Sequence, residues 1–97
     1  MTIDKKLEND TLYVTVEGRL NTMTANEFEQ ALESLDGVNI LIIDMKNLEY
    51  VSSAGLRIFL KAQKTMSKKG SMVLKNVCDS VMEVFEMTGF TDILTIE

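Results

Sequence analysis

Apolar and polar positions alternate with period two near the N-terminus, then shift to helical spacing. In "TLYVTVEG", Leu12, Val14 and Val16 alternate with Tyr13, Thr15 and Glu17, which predicts a strand with one buried and one wetter face. "TIDKKLE" precedes it across "NDT", where Asn9 and Asp10 suit a tight turn, so the two segments are expected to form an antiparallel hairpin. Gly18 ends the second strand. Beyond "RLNTM", the residues Ala25, Phe28, Ala31, Leu32 and Leu35 recur at helical spacing. Thr24 with Glu27 fits a capping box before them, and Asp36-Gly37 fits a stop after them. "VNILIIDM" is apolar on both alternating faces and reads as a central strand.

A second helix is expected from about Ser53 to Lys68, ending before Gly70, with "SMVLKNV" as the next strand. Ser80 with Glu83 suggests a capping box for a third helix through Val81, Val84, Phe85 and Met87, closed by Gly89 in a left-handed cap. "DILTIE" is short and suits a last edge strand. The order β-β-α-β-α-β-α-β predicts an α/β domain with a mixed, mostly parallel sheet of four to five strands. Few helices and a polar face on the second strand place the helices mainly on one side. With no proline, no long Gly/Ser tract and no repeat, residues 1–97 are expected to form one domain.

Composition then removes function classes. The net charge of −5 argues against a nucleic-acid binder that relies on bulk positive charge. There is no histidine, which excludes Ser–His triads and histidine metal sites. The single cysteine, Cys78, cannot form an internal disulfide or a thiolate cluster, and reads as a small apolar residue at a strand–helix junction. No pattern calls for a cofactor or a metal. Apolar runs are too short to insert in a membrane, and "MTIDKKLEND" has no signal-peptide core, so a cytoplasmic location is expected.

Helix two is two-faced. Leu56, Ile58, Phe59, Leu60, Ala62 and Met66 form an apolar arc, with burial expected for Leu56. Arg57, Lys61, Lys64 and Lys68 form a stripe opposite, which reads either as a solvated face or as a docking stripe for an acidic partner. At its start, "EYVSSAGLRIFLKAQK" sets Ser52 and Ser53 side by side. A serine there is commonly an N-cap, its hydroxyl accepting from a first-turn N–H. A nucleophilic role is disfavoured, because there is no "GxSxG" turn, no histidine and no evident paired lysine. Phosphorylation is a third reading: a phosphate adds about −1.5 to −2 charges and is tolerated at a helix N-terminus. The small Ala54 and Gly55 would let a kinase come close to the backbone.

"LEYVSSAGLRIFL" after "ILIIDMKN" resembles the signature of anti-sigma-factor antagonists in the STAS (sulfate transporter and anti-sigma antagonist) family. "VEGRLNTMTANEFEQAL" and "SVMEVFEMTGF" are similar to that family's first strand-to-helix segment and final helix. The resemblance implies an antagonist that binds an anti-sigma factor with serine kinase activity and so releases sigma. Phosphorylation of a serine at the start of the second helix ends binding, and a PP2C-type serine phosphatase resets the switch. The family signature often reads Asp-Ser-Ser/Thr-Gly-Leu. Aligned on Gly55-Leu56, it implies Ser53 as the phosphorylated residue, with Ser52 at the aspartate and Ala54 at the following Ser/Thr. Ser52 is thereby a rival acceptor, and Asn21 stands where many relatives carry an aspartate.

The expected docking surface combines Asn21, Thr22, Ser52, Ser53, Ala54, Gly55, Arg57, Lys61 and Lys64, because loops after parallel strands gather at one end of a sheet. The alternative from another class is an unphosphorylated STAS adaptor packed against a membrane transporter. A nucleotide-binding role lacks its Gly-rich phosphate loop.

Overall fold

Alternation in the first twenty residues becomes a hairpin, β1 (Thr2–Glu8) and β2 (Thr11–Leu20), in the computed structural model, which describes residues 1–97. Asn9 turns the chain with φ 56°, a left-handed conformation that asparagine tolerates, and Glu8 pairs with Thr11. There follow α1 (Ala25–Ala31), β3 (Ile40–Val51), α2 (Ser53–Ser67), β4 (Ser71–Lys75) and α3 (Asp79–Met87). A 3₁₀ turn (Phe90–Asp92) and β5 (Thr95–Ile96) close the chain. The five strands lie in the order β1-β2-β3-β4-β5, with β1 antiparallel and the others parallel. This is the expected mixed α/β sheet, last edge strand included.

One face of the sheet is covered. Leu12, Val14 and Val16 of β2, Leu41, Ile43 and Met45 of β3, and Met72 and Leu74 of β4 are buried in one cluster with the helices. Their alternates Tyr13 and Ile40 are exposed, and Ile42 and Val73 are half-buried. The apolar run of β3 therefore marks its central place in the sheet, not cover on both sides. Each helix contributes one phenylalanine to a chain of rings: Phe28 lies 5.1 Å from Phe59, and Phe59 meets Phe85 edge-on at 5.7 Å. Such pairs add about 0.5–1.5 kcal/mol each beyond area burial.

Four local expectations are corrected. Gly18 does not end β2, which continues through a positive φ at Gly18 to Leu20 and keeps pairing with β3. Helix α1 ends at Ala31 rather than near Leu35. Its last turn tightens, with Leu32 N donating to Glu29 O and Glu33 N to Gln30 O, and the Leu35 carbonyl is taken by Lys69 Nζ from outside the helix. Leu32 and Leu35 are buried all the same. Thr24 stands at the N-cap of α1 but makes no side-chain cap bond, because its hydroxyl is spent on Arg19 O at 2.7 Å. The Ser80 hydroxyl likewise donates to Glu49 O, and the N-cap of α3 is Cys78. Gly89 adopts φ 79° after α3, as the cap required.

The parallel β2–β3 pair carries two register shifts, one between Thr15 and Glu17 and one between Gly18 and Arg19. In each, β3 holds an extra residue, a bulge that bends the strand. Lys46 N is held by Asp44 Oδ1 at the first. Carbonyls around the second, on Leu48 and Glu49, accept from Cys78 Sγ and the Ser80 hydroxyl. The bulges leave Leu48 and Val51 facing the core just before α2 begins.

Candidate functional site

The end of β2 and the start of α2 are stitched together by backbone. Ser52 N donates to Leu20 O at 2.8 Å, which fixes where the helix begins. Ser52 is extended (φ −90°, ψ 175°), and its hydroxyl accepts from Gly55 N at 3.4 Å, a long cap bond. Gly55 is buried against this junction. A Cβ there would come within 2.7 Å of Leu20 Cδ2 and 3.1 Å of Val51 Cγ1, so the first turn can approach the sheet only with glycine. The expectation that Gly55 lies on a contact surface is corrected: it faces the core. Leu56 is buried too, and Ala54 packs against the core's edge.

Ser53 is the opposite of its neighbour. It is exposed, and its hydroxyl makes no hydrogen bond to the protein. The two serines thus separate into one that builds the junction and one that is left to solvent.

The loop from Asn21 to Thr24 lies beside this turn. Asn21 Oδ1 accepts from Met23 N at 2.9 Å and Thr24 N at 3.1 Å, and the Thr24 hydroxyl accepts from Asn21 N at 2.9 Å. Asn21 therefore uses the one amide oxygen that stands in for an aspartate's acceptor, and the loop keeps its turn without the charge. Thr22, Ala25, Asn26 and Glu29 share a shallow depression with Ala54 and Arg57. The structure so brings Asn21, Thr22, Ser52, Ser53, Ala54 and Arg57 to one end of the sheet.

The basic stripe extends away from that end. Arg57 is exposed and forms neither an ion pair nor a hydrogen bond, whereas Lys61 reaches Glu29 of α1 at 3.5 Å. Lys64 is exposed beside Leu60, Lys68 and Ile93, about 16 Å along the helix axis from Ser53 at 1.5 Å per residue. Two features escaped sequence reasoning. Met23 is 89% exposed on the pinned loop, and the Arg19 guanidinium lies 4.4 Å from the Tyr50 ring centroid. Met23 fits neither period around it, which was the available signal. The Arg19–Tyr50 contact depends on the bulge at Glu49 and left none. No group of three or more acidic, cysteine or histidine side chains is placed to hold a metal, and no helix is long and apolar enough to cross a membrane.

The family model for the STAS domain matches residues 2–97. The chain belongs to the STAS domain family. It is 32% identical over 97 residues to the anti-sigma-B factor antagonist of Listeria monocytogenes, spanning 96% of this chain and 84% of that one. Among solved structures, the unphosphorylated anti-sigma factor antagonist SpoIIAA superposes with a TM-score of 0.84 at 16% identity, covering 99% of this chain and 88% of that one. The phosphorylated form of SpoIIAA, a Bacillus cell fate determinant, superposes with a TM-score of 0.76 at 15% identity, covering 99% and 91%. At these identities the likeness establishes a common fold. Within this STAS domain, the strand-to-helix junction at Ser52–Gly55 is fixed by the Ser52 N–Leu20 O bond and the close approach of Gly55 to Leu20.

Proposed function

We propose that this STAS domain is an anti-sigma factor antagonist that works by partner switching. Its unphosphorylated form binds an anti-sigma factor with serine kinase activity, and sigma is released. The kinase moves the γ-phosphoryl group of ATP to Ser53 Oγ; ADP leaves, and the hydroxyl proton passes to a base of the kinase. A PP2C-type phosphatase returns the serine by hydrolysis.

The observation that carries this reading is the division between the serines. Ser53 offers a free, exposed hydroxyl on a fixed turn, while Ser52 is half-buried and caps the helix. A phosphate on Ser53 would sit inside a contact made for a neutral hydroxyl, and a buried unpaired charge costs several kcal/mol. A loss of about 3 kcal/mol weakens binding more than 100-fold. The surface around it includes Asn21, Thr22, Ser52, Ala54, Arg57, Lys61 and Lys64.

The first test is intact mass of protein purified from its host under phosphatase inhibition, with fragmentation across "YVSSAGLR". One phosphate on Ser53 is expected. Phosphate on Ser52 would reassign the acceptor, and unmodified protein across growth conditions would favour the transporter adaptor. Binding to the anti-sigma partner is expected to survive Ser53→Ala and to fall about 100-fold in Ser53→Glu. Equal affinities for the two variants would end the switch reading.

A further inference from the structure

We propose that Arg57 clamps a phosphate carried by Ser53, so that modification both adds a dianion and withdraws the first cation of the basic stripe. The inference rests on the switch reading above for its biological use, but its geometry stands on α2. That helix is continuous from Ser53 to Ser67, so Ser53 and Arg57 stand one turn apart on the same face. Residues at this spacing have Cβ atoms about 5–6 Å apart, within easy reach of an arginine. A guanidinium presents two parallel N–H donors that match two phosphate oxygens, a fit that a lysine ammonium lacks.

The charges nearest along the helix and in the shared depression are paired or lie further off. The protein's two ion pairs are Lys6–Glu8 and Lys61–Glu29, which leaves Arg57 without a partner. Glu29, the acid that shares the depression with Arg57, is held by Lys61 at 3.5 Å. No Asp or Glu occurs between Ser53 and Ser67 to compete. Arg19 is stacked over Tyr50, and Lys61 lies about 12 Å along the axis from Ser53. Arg57 is thus the cation available to a phosphate at residue 53. Once it folds back, the stripe facing a partner is reduced to Lys61, Lys64 and Lys68. Release then has two electrostatic parts, and a carboxylate at residue 53, shorter and singly charged, reproduces them incompletely.

The test uses the full chain with phosphoserine encoded at residue 53, so no kinase is needed. The second ionisation of the phosphate is followed by phosphorus NMR in the otherwise native protein, Arg57→Gln and Arg57→Lys, with circular dichroism confirming the fold. A nearby cation favours the dianion, so the native pKa is expected below that of Arg57→Gln by about half a unit, the size of an exposed pair. Arg57→Lys is expected between them, and the gap is expected to shrink at roughly 0.5 M salt. The helix N-terminus acts equally in all three and drops out of the difference. Equal pKa values in native protein and Arg57→Gln would overturn the clamp. Failure of the switch reading would appear elsewhere, as unmodified Ser53 in host protein, and would leave this titration unchanged.

Discussion

Helices α2 and α3 both start where a parallel strand gives way to a helix, at the same end of the sheet, yet their first polar atoms go to different uses. At α3, Cys78 Sγ and the Ser80 hydroxyl are directed into β3, where they satisfy the carbonyls of Leu48 and Glu49. At α2, Ser52 alone serves the scaffold, and the hydroxyl of Ser53 is left without a protein partner. Both junctions carry a serine on the first turn. A serine's neighbours in sequence therefore say less about its role than the account of where its hydrogen bonds go. An exposed hydroxyl that the fold does not need is available for chemistry that changes the surface without unfolding it.

The two junctions share the ring chain beneath them. Phe59 of α2 touches both Phe28 and Phe85, so Phe59→Ala should destabilise the domain by about 3–5 kcal/mol and loosen both helix starts together. Urea denaturation combined with amide exchange at Ser53–Leu56 and Asp79–Met82 reads both effects. Loosening confined to α2 would show that the junctions are independent.

Gly55→Ala should act on one junction alone. Its methyl meets Leu20 and Val51 at the distances of an overpacked core, which costs about 1–3 kcal/mol. The loss is expected in denaturant midpoint, with exchange faster at the α2 start and unchanged at the α3 start. A neutral result would mean that Leu20 moves aside freely.

The finest distinction lies between adjacent serines. Ser52→Ala removes an N-cap and should cost about 0.5–1 kcal/mol, the lower part of the usual range, because the bond is long. Ser53→Ala should stay within about 0.5 kcal/mol of native stability, as surface substitutions do. Equal losses would erase the division on which the acceptor assignment depends.

Much of this scaffold was legible in the chain. Alternation in β2, the apolar arc of α2 and the Asn9-Asp10 turn follow from local periodicity and turn chemistry, and each appears in the structure. Thr24 and Ser80 were misread for one reason. Both fit a capping box by spacing, but each hydroxyl found a backbone carbonyl outside the helix, on Arg19 and Glu49. Acceptors outside the helix, whether five residues away or thirty-one, leave no trace in a capping-box pattern. The early end of α1 shows in bonding and not in spacing: Leu32 N and Glu33 N turn to carbonyls three residues back, while Leu32 and Leu35 keep the apolar spacing and stay buried. At the candidate site, sequence placed Ser53 and Arg57 on one expected docking surface but could not tell which serine capped the helix. It also set Gly55 on the surface, where only the close contact with Leu20 reveals its place in the core.

The bulges in β3 bear on how this domain tolerates change in length. Over Thr15–Leu20, β3 spends eight residues, Asp44–Val51, against six on β2. Losing a residue near Lys46 or at Glu49 would convert a bulge into regular ladder and leave the later pairs, Leu20 with Val51 among them, in register. Losing one elsewhere in the strand would send every following side chain to the wrong face. Single-residue deletions therefore have two permitted addresses in the middle strand, and both lie upstream of Ser52 and Ser53 without moving either.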